Sequence, residues 1–180
     1  RSAADEILPE SPASQVGGIG ENINWKRVNY MNRKEKATGY HDKGYNCCQA
    51  VAAAFSDVTG LSEEQSLAAG GGFGGGLRCG EICGAVSGAV LVLSLTHPYT
   101  DCTDAAQKKR IAELTREFHR RFKAVYGCER CMDLLKADIS TPEQMQAAKA
   151  AGTMKRCNDF IAFAAEIVEQ MLDEEKAGQL

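Results

Sequence analysis

Eight cysteines, Cys47, Cys48, Cys79, Cys83, Cys102, Cys128, Cys131 and Cys157, stand in a chain of 180 residues, more than packing alone requires. Thiols in this number serve as disulfides, as ligands to a metal or iron–sulfur centre, or as redox-active groups, and an even count favours none of the three. Cys79 and Cys83 are separated by three residues, and Gly84, Ala85 and Gly88 follow. A helix opening at Cys83 would surround its sulfur with unpaired amides and the positive end of the dipole, conditions that favour the thiolate. Thiolate is the form that binds metals and attacks disulfides. The plain alternative is a buried cysteine acting as a small apolar residue; the density of glycine around Cys83 argues for chemistry.

Cys128 and Cys131 form a C-x-x-C pair. Met132 follows where covalent haem attachment needs His, so the c-type haem signature is absent. A thioredoxin-like dithiol needs a strand and a βαβ surround, and a zinc knuckle needs a second close pair. What remains is a sulfur pair contributing to a centre completed by distant segments, or a disulfide. Cys47 and Cys157 stand near the starts of predicted helices. Helix N-termini aimed at one spot form a pocket of amides and positive dipole ends that stabilises a negatively charged cluster. His41, His97 and His119 share no ligand spacing and read as solvated or loop residues. Trp25, Tyr40 and Tyr45 read as packing.

The elements that must position these groups are helical. Residues 1–23 hold Pro9, Pro12 and no periodic apolar pattern, and read as an extended arm ahead of a helical domain over 24–180. A short polar helix is predicted between Trp25 and Tyr40, punctuated by Gly39 and Gly44. Asn46 caps a helix through Phe55, and Ser62 with Gln65 forms a capping box for one that fails at Gly70. Nine of the eighteen glycines then fall between Gly70 and Gly88. Up to Gly80 they make a loop. Gly70, Gly72 and Gly75 match G-x-G-x-x-G only formally, since a helix precedes them and Val90 stands where the ribose-binding acid belongs. The loop instead lets backbone approach closely, either to another helix or to a bulky inorganic group.

From about Cys83 the run Ala85 to Leu95 is apolar almost all round and reads as the buried central helix. His97 and Pro98 end it, and Asp101 or Thr103 caps the next segment. Ile111, Leu114, Phe118, Phe122 and Val125 define a long amphipathic helix closed by Gly127, its Lys and Arg run from Lys108 to Lys123 reading as a solvated face. A short apolar turn covers Met132 to Leu135, Thr141 and Pro142 open a helix running toward Met154, and the last helix begins just after Cys157. No segment alternates with period two, so the fold class is all-α, a single-domain helical bundle.

Composition narrows the function. Twenty-one Lys and Arg against 24 Asp and Glu give a net charge of −3 without a basic stripe, which argues against nucleic acid. The apolar run Ala85 to Leu95 is far short of the ~20 residues of a membrane span. The chain opens at Arg1 rather than Met, which fits a processed or engineered start.

Five segments carry a family resemblance: Asn46-Cys47-x-Gln49-Ala50-Val51; Gly71-Gly72-Phe73-Gly74-Gly75-Gly76; Gly80-Glu81-x-Cys83-Gly84-Ala85-Val86-Ser87-Gly88; Cys131-x-x-Leu134-Leu135; and Cys157 ahead of an apolar helix. Together they resemble the bacterial redox-active proteins named C_GCAxxG_C_C for their spaced cysteines. The resemblance implies Cys47, Cys83, Cys131 and Cys157 as the characteristic sulfurs, with Cys79 and Cys128 as alternates. It further implies an iron–sulfur centre, [2Fe–2S] in form, because related domains occur beside haems in split-Soret cytochromes. The backbone of Gly74, Gly75, Gly76 and Gly84 would then line the cluster, its amides tuning the potential. Twin-arginine export signals in some relatives imply a periplasmic or otherwise exported protein, with the cytoplasm as the alternative. Cys48, Cys79, Cys102 and Cys128 are additional to the family pattern, and without C-x-x-C-H haem attachment does not carry over. The expectation is a non-catalytic electron carrier serving a redox partner protein, able to form a homodimer. Its rivals are a metal-free thiol–disulfide oxidoreductase using Cys128 and Cys131, or Cys79 and Cys83, and a structural domain with disulfides or zinc.

Overall fold

The computed structural model describes residues 32–180. The arm expected over 1–23, Trp25 and the boundary at residue 24 lie outside the described residues. Helix α1, Arg33–Asp42, starts at Asn32, whose side chain accepts from the Glu35 amide at 2.9 Å. It runs straight through Gly39, expected as a break, because Ala37 and Tyr40 are buried against the neighbouring helices. The chain turns only at Gly44, where φ is +99°.

Helices α2 (Cys47–Ala54), α3 (Ser56–Thr59) and α4 (Glu63–Gly70) follow. The predicted capping boxes at Asn46 and Ser62 are both present. The glycine segment is tightly coiled rather than open: a 3-10 turn at Gly71–Phe73 and a wide π-turn at Gly76–Gly80. Within it Gly75, Gly76, Leu77 and Arg78 all have positive φ, a short left-handed coil. For Leu77 and Arg78, which carry a β-carbon, that conformation costs about 1–2 kcal/mol each.

Helix α5, Gly84–Thr96, is the predicted central helix, and it ends at His97. It is buried along Ala85, Val86, Ala89, Val92 and Leu93, whereas Val90, Leu91 and Leu95 are only half-buried, so one stripe rather than the whole circumference is enclosed. Helix α6, Ala105–Tyr126, is capped by Asp104, whose side chain accepts from the Gln107 amide. Asp101, expected as the cap, instead closes a turn on Thr103. Helices α7 (Cys131–Leu135), α8 (Pro142–Ala150) and α9 (Cys157–Lys176) complete the bundle. Helix α8 stops short of Met154 because Gly152 turns left-handed, with φ +73°.

Helix α2 is the innermost element, with seven residues buried and contacts to α1, α4, α5 and α9. Helix α9 lays Phe160, Ile161, Ala164, Ala165, Ile167, Val168 and Met171 over α1, α2, α5 and α6. Between α6 and α9, Phe122, Tyr126, Phe160 and Phe163 form an aromatic stack with centroids 5.0–6.0 Å apart. Each fully buried side chain of this size contributes about 1.5–3 kcal/mol. The basic run on α6 is not merely a solvated face. Arg121 bonds Glu117 on its own helix and Glu174 on α9, and Arg110 pairs with Glu175. Among the described residues there is no strand, and no helix is long and apolar enough to cross a membrane.

Candidate metal centre

Four cysteines share one structural position. Cys47, Cys131 and Cys157 are the first residues of α2, α7 and α9, and Cys83 is the residue on which α5 begins. Cys47, Cys83 and Cys131 therefore stand where backbone amides lack intrahelical partners and the dipole is positive, whereas the Cys157 amide donates to carbonyls of the 3-10 turn Thr153–Arg156 that leads into α9. Asn46 holds the Cys47 end in place. Its Oδ1 accepts from the Cys48 and Gln49 amides at 3.0 and 3.1 Å, and its Nδ2 donates to the carbonyls of Gly70 and Gly71 at 3.2 and 3.1 Å. Cys83 and Cys131 are aligned by a two-residue antiparallel contact: the Cys83 amide donates to Glu129 O at 2.9 Å and the Cys131 amide to Glu81 O at 2.6 Å.

All four residues are buried, at 8, 2, 4 and 3 % exposure for Cys47, Cys83, Cys131 and Cys157. They lie close enough to affect one another's ionisation. The Cys47 thiol donates to Cys157, which raises the Cys47 pKa and lowers that of Cys157; burial and the nearby Cys83 and Cys131 push Cys47 further up. Burial pushes Cys83 up to about 11, against the amides of Ala85 and Val86, which bond its sulfur and favour the thiolate. Cys131 is pushed up to about 12 by burial and by the nearness of Cys83 and Cys157. Several thiolates in so small a volume repel each other unless a cation lies among them, and that is the donor chemistry of a metal site.

A fifth donor stands beside them. One ring nitrogen of half-buried His41 and the sulfurs of Cys47 and Cys157 all lie within 4.8 Å of one another. Reading the histidines by ligand spacing missed this, because His41 closes α1 and Cys47 opens α2, with the Gly44 turn folding one onto the other. A donor at a helix end, a turn glycine and a second donor at the next helix start was the available signal. His97 and His119 are engaged elsewhere, by Glu175 and Glu129.

The remaining predicted positions separate. Cys79 and Cys102 are exposed, Cys128 is half-buried but near enough to Cys83 to raise its pKa, and all eight cysteines are free thiols. Buried Cys48 lies at the α2–α5 contact, where its carbonyl is 2.9 Å from where a β-carbon on Gly88 would stand. The four glycines expected around a cofactor divide. A β-carbon on Gly76 would lie 2.8 Å from Cys131 Cβ, and one on Gly84 would lie 3.1 Å from Cys47 Cβ. Gly74 and Gly75 face Asn46 and Met145 instead.

The sulfur-rich donor set with its adjacent imidazole fits a redox metal-binding role. No curated protein and no solved structure matches the chain. A family model described as "Putative redox-active protein (C_GCAxxG_C_C)" matches residues 45–171, a span that contains Cys47, Cys83, Cys131 and Cys157. With well over half its length matched, the chain belongs to the C_GCAxxG_C_C family.

Proposed function

We propose that the protein is an electron carrier with a [2Fe–2S] cluster bound in the pocket of Cys47, Cys83, Cys131 and Cys157. The observation that supports this reading is that four buried thiols from four separate segments, each at the first turn of a helix, lie near enough to perturb one another's ionisation, Cys47 and Cys157 being the closest together. Such a cluster supplies a one-electron couple, taken from a donor and passed to an acceptor without a bond to substrate. The residues do the rest. The helix-start amides, among them those of Ala85 and Val86 at Cys83, offset the negative charge of thiolate ligands. Burial excludes water, and the Cys83–Cys131 contact keeps two donors in register. Ile82, adjacent to Cys83, is 42 % exposed, so a partner protein docking there comes within one residue of a ligand.

A metal-free thiol–disulfide enzyme is less well supported, because reactive thiols have depressed pKa values whereas burial moves Cys83 and Cys131 the other way. Zinc is the second reading, favoured by the imidazole beside two thiols. Anaerobic purification with a visible spectrum and iron and acid-labile sulfide analysis separates them. A brown protein with about two iron and two sulfide per chain is expected; a colourless protein carrying stoichiometric zinc overturns the cluster.

A further inference from the structure

The imidazole beside Cys47 and Cys157 is held in one tautomer by a chain of side chains. Asp42 and Asn158 are the sequence neighbours of His41 and Cys157. The Asp42 carboxylate can only accept, so the Asn158 amide nitrogen faces it, donating to Oδ1 at 3.0 Å. That turns Asn158 Oδ1 to His41 Nδ1 at 2.6 Å. An amide oxygen also only accepts, so Nδ1 is the donor in this contact and Nε2 is the nitrogen left to offer a lone pair. An imidazole backed in this way by a fixed acceptor is the arrangement by which proteins prepare a histidine for a metal.

We propose that His41 is a ligand, through Nε2, to the metal held by Cys47 and Cys157, so that the centre is mixed imidazole and thiolate rather than all sulfur. This rests on the reading that those cysteines hold a metal and revises its donor set. A two-iron cluster takes four protein donors, so with His41 in one position, one of the four cysteines remains a thiol. Iron and zinc both accept imidazole alongside thiolate. His41 lies outside the matched span 45–171. Replacing a charged thiolate by a neutral imidazole raises the potential of an iron–sulfur centre.

X-ray absorption at the edge of the bound metal, on anaerobically purified protein, counts nitrogen against sulfur ligands. Pulsed electron paramagnetic resonance of the reduced protein, grown with 15N-histidine, identifies a bound imidazole without any substitution. The expected results are a nitrogen in the metal shell, a coupling that changes with the label, loss of that coupling in His41→Ala with metal still bound, and a lower midpoint potential in His41→Cys. A metal centre with sulfur ligands alone and no histidine coupling overturns the role of His41 and leaves the cluster standing. A protein that binds no metal overturns both.

Discussion

At the residue scale, the thiols divide by burial in a way chemistry can count. Cys79 and Cys102 are exposed, whereas Cys47, Cys48, Cys83, Cys131 and Cys157 are buried. Burial also raises the pKa of Cys48, to about 12, and of Cys83 and Cys131, so few of these groups exist as the nucleophilic thiolate near neutrality. Brief alkylation of the folded protein near pH 8, read by mass spectrometry, is expected to modify Cys79 and Cys102 and to spare the five buried cysteines until denaturant is added. Rapid labelling of Cys47 or Cys157 would contradict the enclosed site. The sequence named all eight cysteines but could not rank them by access, because accessibility depends on what packs over each sulfur.

At the element scale, glycine has two opposite roles inside helices, and substitution separates them. A β-carbon on Gly88 in α5 would stand 2.9 Å from the Cys48 carbonyl oxygen and 3.0 Å from Val51 Cβ on α2. Backbone cannot yield cheaply, so Gly88→Ala should destabilise by about 1–3 kcal/mol through overpacking, more than the ~1 kcal/mol that alanine gains in helix propensity. Gly39 in α1 has no atom within 4 Å of its β-carbon position. Gly39→Ala should therefore stabilise by up to about 1 kcal/mol. Urea denaturation of the two variants checks both signs. In the sequence Gly88 stands among the glycines around Cys83 whose density argues for chemistry; the close approach of α2 and α5 gives it a packing role.

At the scale of the whole molecule, ion pairs link distant elements. Asp57 on α3 pairs with Arg33 on α1, and the Arg33 guanidinium holds the Asp57 carboxyl down to about 2. Glu117 on α6 is likewise held near 2, by Arg120 and then Arg121, and Arg121 also depresses Glu174 on α9. Their folded pKa values lie below the unfolded ones. Their stabilisation is therefore complete above the ordinary carboxylate range and is lost as the pH falls from about 4.5 toward 2. Thermal unfolding across that interval should show the melting temperature falling with acid, and Asp57→Asn and Glu117→Gln should flatten the fall. A wild-type slope unchanged in both variants would assign acid sensitivity to other groups.

Local sequence carries the helical class, the positions of the caps at Asn46, Ser62, Thr141 and Gly127, and the membership of the C_GCAxxG_C_C family. The class and the caps depend on periodicity and local hydrogen bonding within a few residues. Packing of the helices brings His41 to Cys47 and Cys157, sets Asn158 against the His41 ring, and pairs the α6 arginines with the acids of α9. Those relations join residues as many as 117 positions apart. They follow from how helices pack, which no local spacing encodes.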